Sequence, residues 1–269
     1  MSTAKGQEVY TISAATSVVA CGVILSEDEL GEALNGPVIS ILRDDLGNAQ
    51  VEMLLTSLVT TEFEQERLQA ALDATTDPED WRVGEALAEA YLTEHRDCEF
   101  PWHGGRDLKN PKASAAGTDL VGFQRDSDAS DAGARFAFGE VKTSCEEKFP
   151  PQVVTSRHGL SEQVELLRDS CETKNHLLKY LAYKAKASVW EDTFKRAAKR
   201  YLAEPTDVAL FGVLVRDVVP SELDVRARAH ALAKNCPPAT AIELRALYLP
   251  SKCIPSLASR AKAAMAVGK

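Results

Sequence analysis

Gly117-Thr118-Asp119-Leu120-Val121-Gly122-Phe123 and Arg135-Phe136-Ala137-Phe138-Gly139-Glu140-Val141-Lys142-Thr143-Ser144 decide how this chain is read. Both runs carry Val, Thr and Phe, and both are short. The polar stretch Gln124–Ala134 between them is full of Asp, Ser and Gly, so the sequence predicts two strands and a flexible connection. Side chains at i and i+2 of a strand share a face. Phe136, Phe138, Glu140 and Lys142 therefore point one way, and Ala137, Gly139 and Val141 the other. Asp119 stands against apolar Leu120 and Val121. Ionic groups embedded in apolar strands are costly unless paired or metal-bound.

Upstream, the spacing of Val83, Leu87, Ala90 and Tyr91 predicts a helix over about Pro78–His95, with Asp77 as N-cap and Pro78 at its first position. Glu85 and Glu89 are four apart and share a face beside that apolar stripe. These residues suggest a specific chemistry. Asp119, Glu140 and the backbone carbonyl of Val141 could ligate Mg²⁺, with Mn²⁺ as its substitute. Glu85 or Glu89 could add a ligand from the helix. Mg²⁺ takes oxygen ligands, keeps waters and lowers the pKa of a bound water. Lys142 would stabilise charge on a phosphorus centre under attack. Asp119, Glu140, Lys142, Glu85 and Glu89 are thus the candidate catalytic residues for cutting a phosphodiester bond. The bland alternative is an ordinary salt-bridge network of Asp119 and Glu140 with Lys142 and Arg135.

Working outward, Val9–Ile12, Ser17–Leu25 and Val38–Leu42 are β-like, and Val51–Val59 is ambiguous between helix and strand. Helices are expected at Glu62–Leu72, Ser161–Ser170, a strongly basic Thr173–Leu202, Val225–Lys234 and Leu257–Val267. Further strands are expected at Val208–Val215 and Ala241–Leu249. Residues 96–116 read as a loop. Together these elements predict an α/β protein with an α/β/α core and a mixed central sheet. Residues 1–76 would form an N-terminal α/β extension or a partner-docking subdomain, and residues 77–269 the catalytic domain.

Composition narrows the partners. The net charge of −9 looks wrong for a nucleic-acid binder, but it is unevenly spread. Residues 1–141 carry 10 Lys/Arg against 26 Asp/Glu, and residues 142–269 carry 21 against 14. Such a chain can turn a basic face to phosphates and an acidic face to something else. DNA contacts are candidates at His103, Gln163 and Lys184, although a loop histidine, a helix-start glutamine and a solvated basic face explain them too. Trp102 could stack on a base or anchor its loop. Six scattered cysteines without a CxxC pair argue against a zinc site and for reduced thiols. No apolar run reaches membrane-spanning length and no signal peptide is convincing, so a cytoplasmic protein with no membrane association is expected. No Walker loop, Ser/His/Asp triad or dinucleotide fingerprint is visible, so the chain is not its own motor.

Asp119 followed 21 positions later by Glu140-Val141-Lys142, behind the Gly84-Glu85-Ala86-Leu87-Ala88-Glu89 helix, resembles the PD-(D/E)xK nuclease superfamily. Thr118 replaces the literal Pro, at a position that varies in that superfamily. Gln163 lies on the following helix, where several branches place a Gln. The resemblance covers about residues 80–215 and implies a restriction-endonuclease-like fold and a magnesium-dependent deoxyribonuclease. The segments GEALAE, PWHGG, GTDLVGF and FGEVKTS further resemble the nuclease subunits (HamA) of Hachiman anti-phage defence systems, which work beside a superfamily 2 helicase (HamB). That resemblance implies an effector nuclease, held inactive until the helicase senses foreign or damaged DNA. A stand-alone restriction or repair endonuclease, and a non-catalytic helicase or DNA adaptor that keeps the fold, stand as alternatives.

Overall fold

The computed structural model describes residues 5–73, 77–107, 117–126 and 133–267. Thr75-Thr76, the second half of the 96–116 loop and most of the 124–134 connection lie outside them. The elements are β1 (Gln7–Ala15), β2 (Val18–Ile24), α1 (Glu27–Asn35), α2 (Pro37–Arg43), α3 (Asp45–Thr56), α4 (Glu62–Leu72), α5 (Asp80–His95), β3 (Cys98–Glu99), β4 (Leu120–Arg125), β5 (Ala134–Ser144), α6 (Gln152–Thr155), α7 (Leu160–Asp169), α8 (Cys171–Ala185), α9 (Glu191–Ala203), β6 (Val208–Arg216), α10 (Arg226–Ala233), β7 (Ala241–Tyr248) and α11 (Leu257–Val267).

The strands form one mixed sheet of order β1-β2-β7-β6-β5-β4-β3. The four strands β2, β7, β6 and β5 are mutually parallel, and β1, β4 and β3 are added antiparallel at the two sides. β6 lies in the interior of the sheet, and all nine of its residues are buried. That explains its unbroken apolar run, Val208–Val215. Alternate residues divide the core in two. Ala137, Val141, Phe211, Val213 and Leu247 pack with Val83, Leu87 and Leu92 of α5, with α1 and α2, and with Leu257 and Ala261 of α11. Phe136, Phe138, Leu210, Leu214 and Leu244 pack with α7, α8, α9 and α10 on the other face. The protein is therefore an α/β fold with helices on both faces of a mixed sheet.

Several sequence expectations need correcting. Val38–Leu42 is helical, within α2. Pro37 at the first helical position sets a helical φ, and Val38 is wholly buried against neighbouring helices. A five-residue stretch with four apolar residues does not separate strand from helix by period alone. Val51–Val59 likewise falls largely within or just after α3. The basic stretch Thr173–Leu202 is two helices, α8 and α9, broken around Ala187, which takes a left-handed φ of 61°. Glu191 accepts a hydrogen bond from the Ala187 amide at 2.8 Å and so holds the break. Asp77 does not cap α5. The cap is Glu79, and Asp77 pairs with Lys262 at 2.6 Å. Within the expected N-terminal extension, β1 and β2 continue the central sheet. β2 pairs with β7 from Val18–Ile242 to Ile24–Tyr248, and α1 and α2 pack on the same face as α5.

Candidate active site

β5 is longer than its neighbour. β4 pairs with it only from Arg125–Ala134 to Leu120–Gly139, while β6 follows it to Ser144. Beyond Gly139 the β4 side of β5 is therefore open. Asp119, one residue before β4, closes it. Its Oδ2 accepts a hydrogen bond from the Val141 amide at 2.8 Å, the amide that β4 leaves unpaired. The Val141 contribution seen here is thus its N–H, whereas the sequence pointed to its carbonyl.

Glu140 and Lys142 share one face of this overhang, and Lys142 Nζ donates to Glu140 Oε1 at 2.6 Å. The Glu140 side chain is 2% exposed. Its other oxygen, Oε2, is buried without a hydrogen-bond partner. Glu85 reaches toward the same point from α5 and pairs with Arg82, one turn back, at 2.7 Å. Burial, then the negative charge of Asp119, pushes Glu85 up to about 7, against the pull of Arg82 and Lys142. Burial, then Asp119, likewise pushes Glu140 up to about 7 despite Lys142. Asp119 is also held above its ordinary value by burial, although the Val141 amide and Lys142 act the other way. Three carboxylates thus crowd around one ammonium group, and near neutrality the cluster holds protons that exposed carboxylates would have lost.

Glu89, one turn beyond Glu85, belongs elsewhere. Its Oε1 lies 2.8 Å from His103 Nδ1, in poor alignment for a hydrogen bond, and His103 Nε2 lies 3.9 Å from Asp44 Oδ1. Arg106 binds both Asp44 oxygens at 2.6 and 2.7 Å. His103, one of the candidate DNA contacts, is buried in this second cluster. Lys184 pairs with Asp107 at 2.8 Å and sits 4.0 Å from the centre of the Trp102 ring, with Arg106 at 4.8 Å from it. Trp102 and Lys184 thus tie the loop to α8. Gln163 is half-buried near the start of α7 and donates weakly to the His158 carbonyl at 3.4 Å.

Sequence reasoning missed Arg82 and Asp44. Arg82 was within reach, because it stands three residues before Glu85, at the spacing of a helical ion pair. Asp44 gave no local signal.

Among the described residues, no group of three or more His, Cys, Asp or Glu side chains forms a ready-made metal cage. The cluster still fits Mg²⁺, which is held by one or two carboxylates and keeps several waters. Asp119 and Glu140 meet that need, and the orphaned Glu140 Oε2 is an acceptor that no protein donor satisfies. No protein-family model matches this chain, and no curated protein matches it.

Proposed function

We propose that this chain is a Mg²⁺-dependent deoxyribonuclease of the PD-(D/E)xK, restriction-endonuclease-like type. It would act in the cytoplasm as the effector of a Hachiman-like anti-phage complex beside a superfamily 2 helicase. One observation carries the proposal: Asp119, Glu140 and Lys142 meet where β5 outruns β4, with an unpartnered carboxylate oxygen buried among them. The order α5, β3, β4, β5, then helices α6 to α9 and β6, supports it, because α5 packs on one face of the sheet that carries β4 and β5.

Asp119 and Glu140 would hold the ion, and Glu85 would hold one of its waters. Bound there, Mg²⁺ would supply positive charge for the phosphate and acidity for a water. The protein's own groups do the rest. Asp119 is fixed by the Val141 amide, so its carboxylate has a set direction. Lys142 spans from Glu140 toward solvent, its side chain 25% exposed, and can meet a phosphate oxygen as negative charge builds. Arg82 keeps Glu85 turned along α5. The protons held by Glu85 and Glu140 near neutral pH must leave before a cation binds. Among the described residues no helix is long and apolar enough to cross a membrane.

The test is plasmid cleavage in Mg²⁺ by the wild type and by Glu140→Ala/Lys142→Ala, each with and without the proposed helicase partner, sought as the product of the neighbouring gene. Cleavage by the wild type only with the helicase supports a gated effector. Cleavage without it selects a stand-alone endonuclease. Equal cleavage by the double variant, or none under either condition, removes the catalytic assignment.

A further inference from the structure

Helices α3 and α4 are packed unlike the rest of the molecule. Gly47 is the one buried residue of α3, and Leu68 the one buried residue of α4. Local devices hold them instead. Asp44 caps α3 by accepting from the Gly47 amide, and Thr61 and Glu64 form a complete capping box on α4. Asn48 Nδ2 ties the pair together through the carbonyls of Arg43 and Leu72. Isolated helices of this length are marginal in water.

These helices nonetheless present large apolar side chains to solvent. Leu46, Met53 and Leu54 are 66, 75 and 71% exposed, and Leu58 and Phe63, near the turn, 69 and 60%. Leu46, Met53 and Leu54 are seven and eight residues apart, which places them along one side of α3. The surrounding charge is of one sign. Residues 44–73 hold seven Asp/Glu and a single basic residue, Arg67, whose guanidinium lies 4.2 Å from the centre of the Phe63 ring.

We infer that the α3–α4 pair is a docking surface for a protein partner that presents apolar side chains set among Lys and Arg. An apolar stripe bordered by carboxylates is covered best by that chemistry. DNA and anionic membranes would be repelled by the carboxylates, and a second copy packed through this same face would bring the same charge. The inference does not depend on the nuclease reading.

A labelled 21-residue amphipathic helix of Leu and Lys at helical spacing is the probe, with a Leu/Glu peptide of the same pattern as control. Fluorescence anisotropy should show saturable binding of the Lys peptide, weakening with salt, and no binding of the Glu peptide. Leu46→Ser/Met53→Ser/Leu54→Ser keeps the charge and should weaken binding at least about tenfold. Glu52→Gln/Glu62→Gln/Glu66→Gln keeps the apolar stripe and should weaken binding while flattening its salt dependence. All six positions are exposed, so both variants should keep the wild-type circular dichroism and melting curve. Equal binding by the serine variant, no saturable binding, or equal binding of the Glu peptide overturns the inference. So does a concentration-dependent dimer, or capture by phosphatidylserine vesicles, that the serine variant abolishes.

Discussion

Replacing Glu140 by Gln should change the pH dependence of stability more than stability itself. Glu140 is 2% exposed, and burial together with Asp119 lifts it from 4.5 to about 7. Below the ordinary value both folded and unfolded chains hold the proton, and nothing is lost. Between about pH 4.5 and 7 only the folded chain holds it, so stability falls as pH rises through that window, and the full loss is present above it. The shift corresponds to about 3 kcal/mol at 1.36 kcal/mol per unit. Gln does not titrate, and its amide oxygen can still accept from Lys142. The stability difference, variant minus wild type, should therefore grow by about 3 kcal/mol from pH 4.5 to 8 in EDTA. For a chain of this size that is a widening of about 6–12 °C in Tm. The check is chemical and thermal denaturation of both proteins at fixed ionic strength across that range. A difference that stays constant with pH would refute the crowded-carboxylate account of the site. Mg²⁺ at pH 8 should then stabilise the wild type and leave the variant nearly unmoved.

Other substitutions probe how the site is held. A Cβ at Gly84 would overlap the Thr143 hydroxyl, so Gly84→Ala should push α5 off β5 and cost about 1–3 kcal/mol despite better helix propensity. Thr143→Ala should restore it, because that hydroxyl is buried without a partner; denaturation midpoints of the single and double variants decide this. Arg216 and Asp224 are both fully buried, their nearest atoms 3.5 Å apart. Asp224→Ala should cost about 3–5 kcal/mol by leaving the guanidinium uncompensated, and Arg216→Met/Asp224→Asn should cost less than the sum of its parts, as a double-mutant cycle would read. A Cβ at Gly122 would meet the Glu99 carbonyl, so Gly122→Ala should detach β3 and raise hydrogen exchange at Cys98 and Gln124.

What the sequence disclosed follows from where the information is local. Leu257–Val267 and Glu62–Leu72 were read with the bounds the structure has, since spacing and caps lie within each segment. The face shared by Glu140 and Lys142 follows from strand alternation. Glu85 and Glu89 were inseparable, because only the fold of residues 100–107 brings His103 to Glu89 and leaves Glu85 beside Asp119 and Lys142. The helix break at Ala187 carries neither Gly nor Pro, so nothing announced it. The role of Val38 depends on which helix it meets, a long-range fact.

The pairing of β2 with β7 also sets an order of assembly. At roughly 5–20 residues per second, Ile242 follows its partner Val18 out of the ribosome by about 10–45 s. Through that interval the β1–β2 hairpin waits with Val18, Ala20 and Val23 uncovered, and β6 has one open edge. Asp119 and the strand bearing Glu140 emerge early, but the sheet that buries their surroundings closes only with the last strand. Nascent chains halted before residue 241 should therefore be prime clients for chaperones and proteases.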